Sequence, residues 1–201
     1  MTATDRRSEK IAPVAGAVLL FVMLIPAVRR TMESDMALHM LLQFPLILLA
    51  GWLLAAGSSA QTKARLQQWN HAGICGLLVT SMVLMFWMIP RALDMVLAEP
   101  AMECWKFLTL LLAGAALNLS WQSAGMIVRG FFLGNLLPMM MVVGWLYVEA
   151  PVRICNSYLT NDQLRAGSGL LALAIAGSLV WISTFLFPLG DSTVEISYEN
   201  E

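Results

Sequence analysis

Six stretches of this chain are apolar for long enough, or nearly long enough, to cross a lipid bilayer, and no other property limits its fold as strongly. They run from about Ile11 to Val28, Leu38 to Ala56, Ala72 to Ile89, Trp105 to Trp121, Met126 to Tyr147 and Gly169 to Leu189. Crossing the hydrocarbon core takes roughly 17 to 25 residues of helix. In lipid each segment must satisfy its own backbone hydrogen bonds, so segments of this length are expected as helices. The expected fold is all-α: a polytopic transmembrane bundle of about six spanning helices, forming one integral membrane domain over 1–201. The acidic stretch 190–201 is expected as a mobile tail.

Charge supports the same class. Only 12% of the 201 residues are charged, against about a quarter in soluble domains. A net charge of -1 with 12 Lys and Arg leaves no basic stripe, so the expected partner is the lipid bilayer and not nucleic acid. Arg6, Arg7 and Lys10 precede the first stretch like the basic region of a signal peptide. Its apolar run is too long for a cleaved signal, and Arg29-Arg30 stand where small residues would mark cleavage, so it reads as a retained anchor. Gly57 to His71 and Glu149 to Ser168 are expected as polar loops.

Alternation groups the first, third and fifth loops on one face. Counted by Lys and Arg, the two faces tie at six each, so the positive-inside rule does not separate them. The first helix often dominates, and three basic residues precede it against two that follow. The N-terminus is therefore expected on the cytoplasmic side, in a bacterial inner membrane.

Within the spans, Pro26, Pro45 and Pro138 predict kinks or local unwinding. Gly130 and Gly134 form a G-x-x-x-G pattern suited to close helix packing, and Asn118 and Asn135 are expected as interhelical hydrogen-bond partners.

The best functional lead is three clusters at the ends of stretches that share a face: Met36-Ala37-Leu38-His39-Met40, Trp87-Met88-Ile89-Pro90 and Met102-Glu103-Cys104. Positions three and four apart share a helix face, so Met36, His39, Met40 and Gln43 form a stripe, and Met82, Met85 and Met88 another. Thioether, thiolate and imidazole together suit Cu(I). The candidate ligands are His39, Met88 and Cys104, with Met36, Met40 or Met102 nearby and Glu103 to orient a ligand or take the thiol proton. The competing reading is ordinary: Met fills irregular gaps, one His hydrogen-bonds, and Cys is a small buried hydrophobe. Cys155 falls on the same face and could instead pair with Cys104. His71 and Cys75, at the opposite face, read as structural. The only two His, His39 and His71, lie roughly a bilayer apart, so no bis-His haem is expected. No nucleophile-base arrangement or phosphate-binding loop stands out, and the chain reads as no enzyme.

The order and rough spacing of these clusters resemble the CtaG-like family of multispanning cytochrome c oxidase assembly proteins. That family shows a His-Met-x-Gln-His type sequence, then Trp-His-x-Pro, then Glu-His. Here the corresponding positions read His39-Met40-Leu41-Leu42-Gln43-Phe44, Phe86-Trp87-Met88-Ile89-Pro90 and Glu103-Cys104-Trp105-Lys106-Phe107. The resemblance covers about Met36 to Trp121, and Phe44, Met88 and Cys104 stand where the family has His. It implies copper handling, or help in assembling a copper-containing membrane oxidase, at the outer face, with the oxidase or its copper chaperone as partner. The alternative is a structural or accessory subunit of a respiratory or oxidase complex, on a scaffold whose metal site has been lost.

Overall fold

The computed structural model describes residues 3–150 and 154–186, and among these there are helices and no strand. The expectation for 190–201 lies outside the described residues. In chain order the helices are α1 (Ala3–Leu24), α2 (Pro26–Glu33), a π-helical turn (Leu38–Gln43), α3 (Phe44–Ala56), α4 (Ala60–Trp69) and α5 (Ile74–Trp87). After these come α6 (Pro90–Ala98), α7 (Pro100–Trp121), α8 (Met126–Glu149) and α9 (Thr160–Leu186). Among the described residues, four helices are long and apolar enough to cross a membrane, and up to six spans result if each of two bent pairs counts as one.

The bends follow from local chemistry. Ile25 is extended before Pro26, which opens α2, and the two parts of the first pair meet at 73°. The second pair bends by 67° at Ala72 and Gly73, both of which have positive φ. A side chain at Gly73 would strike the Ser120 carbonyl, so glycine is required there for space as well as conformation. Pro45 removes the N–H that would bond Leu41, and the helix just ahead of it widens into the π-turn. Helix α8, by contrast, continues through Pro138.

Helix α3 packs along α7, and α1 and α5 flank them. The α3–α7 crossing is close because Gly51 lies against the Leu111 backbone and Gly114 against the Leu48 backbone, with no room for a Cβ at either. Helices α8 and α9 form a hairpin closed at Gly144 and Gly167, beside this unit. Gly130 and Gly134 serve differently from the expected backbone crossing: both face the Trp181 ring. Only 11% of the most apolar window of α8 is buried within the protein, against 44% for Leu38–Ala56, so α8 is a peripheral helix.

Two expected loops carry structure. Ser59 caps α4, accepting from the Thr62 N–H at 3.1 Å, so Gly57 to His71 contains a short polar helix. Helix α9 begins at Thr160, nine residues before its apolar run at Gly169. Helix α6 lies in the third connection and buries Ala92, Leu93 and Val96.

Candidate functional site

The first, third and fifth connections meet at one end of the bundle, as alternation requires. Asp94 accepts from the Asn156 and Ser157 N–H groups at 3.0 Å, Tyr147 donates to the Met88 carbonyl, and Arg165 pairs with Asp35 at 2.9 Å.

Lys106 is at the centre of this end. It lies six residues into α7, about 9 Å along the helix. Its side chain is fully buried, and an ammonium there must be paired. Nζ donates to Glu33 Oε1 at 2.6 Å and to Gln43 Oε1 at 3.0 Å, and it lies 3.1 Å from His39 Nε2. These three partners use all three donors of an ammonium. The π-turn carries two of them: His39 and Gln43, four apart, are both fully buried and both reach Lys106.

This contact fixes how His39 is used. An ammonium only donates, so Nε2 accepts and Nδ1 carries the proton. Nδ1 then donates to Tyr158 Oη at 2.6 Å. Burial raises the Tyr158 phenol above its ordinary range, with the Glu33 carboxylate adding to the effect. Neither ring nitrogen of His39 keeps a free lone pair for a metal.

Arg29 completes the cluster. Its Nε stands 2.6 Å from Glu103 Oε1 and 4.0 Å from Glu33 Oε2. The contact with Glu103 is an ion pair by distance, although the N–H does not point along it. Two cations thus meet two carboxylates, and the cluster is neutral.

The residues expected to hold copper separate into four surroundings. His39 and Glu103 belong to the polar cluster. Met36 is fully buried in the apolar core. Met40 and Met88 line an apolar cavity of about 200 Å³ between the α3 unit and the α8–α9 hairpin, with Met140 on its far side. Cys104 is exposed, two residues from buried Lys106 on α7. At 100° per residue these positions point nearly oppositely, so Cys104 is turned away from His39. Cys104 and Cys155 are not joined. Cys155 is buried, 3.7 Å from the Pro90 carbonyl, and burial, reinforced by Asp94, pushes its thiol up to about 12. Among the described residues no three His, Cys, Asp or Glu side chains gather as a metal-holding group.

Lys106, Glu33, Arg29 and Tyr158 are the members of this site that sequence reasoning missed. The signal for Lys106 was its place within an apolar helix, where a charge needs a named partner. At the other end, Asn70 supplies the interhelical amide: it donates to Ser120 Oγ at 2.8 Å and accepts from the Gly76 N–H. Among the described residues neither Asn118 nor Asn135 makes the bond expected of it. No family model matches the sequence, and no curated protein or solved structure matches it either.

Proposed function

We propose that this chain is a non-catalytic accessory protein of the bacterial inner membrane, with the Lys106 end at the outer face. In this reading that end holds a fixed helix arrangement for assembly with other membrane proteins. One observation carries it: the groups best suited to chemistry, Lys106 and His39, are used up by Glu33, Gln43 and Tyr158. The resemblance to CtaG-like sequences points to a respiratory or oxidase complex as the partner, and to a scaffold that has exchanged a metal site for an ion-paired one.

The test uses protein extracted in mild detergent and exposed anaerobically to Cu(I). Wild type and His39→Gln should both hold far less than one copper per chain, and wild type should migrate with a large complex on native gels. One copper per chain in wild type, lost in His39→Gln, would overturn the reading.

A second reading rests on Met40, Met88 and Met140 around one cavity. Three thioethers suit Cu(I), and in this account the chain passes copper to a membrane oxidase without using His39. Stoichiometric copper that survives His39→Gln but disappears in Met88→Leu/Met140→Leu would favour it.

A further inference from the structure

Far from the Lys106 cluster, Arg129 stands in the first turn of α8 beside the C-terminal ends of α7 and α9. Its Nε donates to the Trp121 carbonyl at 2.9 Å, and the guanidinium stacks 5.2 Å from the centre of the Trp121 ring. These contacts hold the side chain in place, yet among the described residues no carboxylate pairs with it. The seven carboxylates with described side chains, Glu33, Asp35, Asp94, Glu99, Glu103, Glu149 and Asp162, all belong to the Lys106 end. Lys63, Arg65 and Arg129 are the charges described at the other.

Arg129 borders a cavity of about 720 Å³ between these helix ends. Its walls differ by position. Arg129 and Gly125 lie at the start of α8, while Leu133, Gly177 and Val180 lie deeper along α8 and α9, with Trp121 and Trp181 at the sides. The first turn of α8 has no side-chain cap, so backbone N–H groups stand beside the guanidinium. A positioned cation next to an apolar slot, flanked by two indoles at a helix end, matches an amphiphile with an anionic head and an acyl chain. A soluble anion would use only the arginine.

We propose that this cavity binds one anionic phospholipid, its phosphate on Arg129 and an acyl chain along Leu133, Gly177 and Val180. The same contact places the Arg129 end at the cytoplasmic leaflet, where anionic lipid attracts basic groups. The site is independent of how the Lys106 end is used, so it stands or falls separately from the accessory role.

The experiment reconstitutes the full chain in nanodiscs or vesicles containing brominated phosphatidylglycerol or brominated phosphatidylcholine, and reads quenching of tryptophan fluorescence. Wild type should be quenched by the anionic lipid at about one-fifth of the concentration needed for the zwitterionic one, the ratio expected for one well-placed arginine. Arg129→Gln should lose the preference and Arg65→Gln should keep it. Should Arg129→Gln fail to fold, native mass spectrometry of delipidated wild type still decides: one retained phosphatidylglycerol supports the site, and equal retention of both lipids overturns it. Equal quenching by the two lipids in wild type, or an unchanged preference in a folded Arg129→Gln, also overturns it. Displacement of the lipid by millimolar glycerol phosphate would assign the arginine to a soluble anion and refute the lipid site.

Discussion

Among the described residues, the two ends of this bundle handle charge in opposite ways. At one, Lys106 and Arg29 are balanced by Glu33 and Glu103, and Arg165 by Asp35 and Asp162. At the other, Arg129 is positioned by a tryptophan but balanced by no described carboxylate. Where the protein supplies both partners, the charge specifies how helices meet: Glu33 follows the bend at Pro26, Lys106 sits on α7, and His39 and Gln43 on the π-turn. Where the described residues supply one partner, the charge is left for a group outside them. Charge near the membrane surface therefore marks either internal assembly or external recognition, and pairing tells which.

The largest break in this contrast is at Lys106. Lys106→Met removes one of the two cations and leaves Arg29 facing both Glu33 and Glu103, and breaking a buried pair in this way costs about 3–5 kcal/mol. The expected outcome is a strongly lowered midpoint of thermal unfolding in neutral detergent. Lys106→Met/Glu33→Gln should recover a large part of that loss, since replacing both charges removes the unpaired one. A double variant no more stable than the single one would mean that the two residues do not act as a pair.

Tyr158→Phe should have a smaller effect. It leaves His39 Nδ1 without its acceptor, at a cost of about 1–3 kcal/mol for a buried unpaired donor. Its effect should shrink when combined with His39→Phe, which removes the donor, and simple additivity would contradict the hydrogen bond.

Smaller still is Arg129→Gln, which gives up one carbonyl contact and one ring contact. In neutral detergent the change should be about 1 kcal/mol or less. The contrast sharpens if that small change grows once phosphatidylglycerol is added, because the lipid would then stabilise wild type alone.

The bundle itself was legible because apolar run length depends on nothing beyond the bilayer. Pro26 and Pro45 were legible too, since a missing N–H acts locally, while α8 runs on through Pro138. The polar helix α4 and the early start of α9 escaped because helices outside the hydrocarbon lack the apolar signature. For the site, alternation placed the right loops on one face and identified His39, Gln43 and Glu103 as neighbours of that end. What it could not give is side-chain direction. Cys104 and Lys106 are two positions apart, and a helix sends them to opposite sides, one to the surface and one into the cluster. A soft-ligand list read along the chain therefore kept the wrong member of that pair beside His39.

The smallest effect concerns the cysteines and reads the Lys106 end without disturbing it. Cys104 and Cys75 are exposed, whereas Cys155 is buried beside Pro90 and its thiol is pushed up to about 12 by burial and by Asp94. Thiolate is the reactive form, so near pH 8 a membrane-impermeant maleimide should label Cys104 from one side of sealed vesicles, with Cys155 following only on unfolding. The side that labels Cys104 also reports which face carries the Lys106 cluster. The sign of the pH dependence follows from the raised value: folded and unfolded chains both hold the Cys155 proton below about 9, so its contribution is complete there. As pH rises towards about 12 the unfolded chain ionises first, and stability should fall over that window, less so in Cys155→Ala. Rapid labelling of Cys155 in the folded protein near pH 8 would show that the fifth connection does not close over Pro90, and the compact, internally paired end would lose that part of its seal.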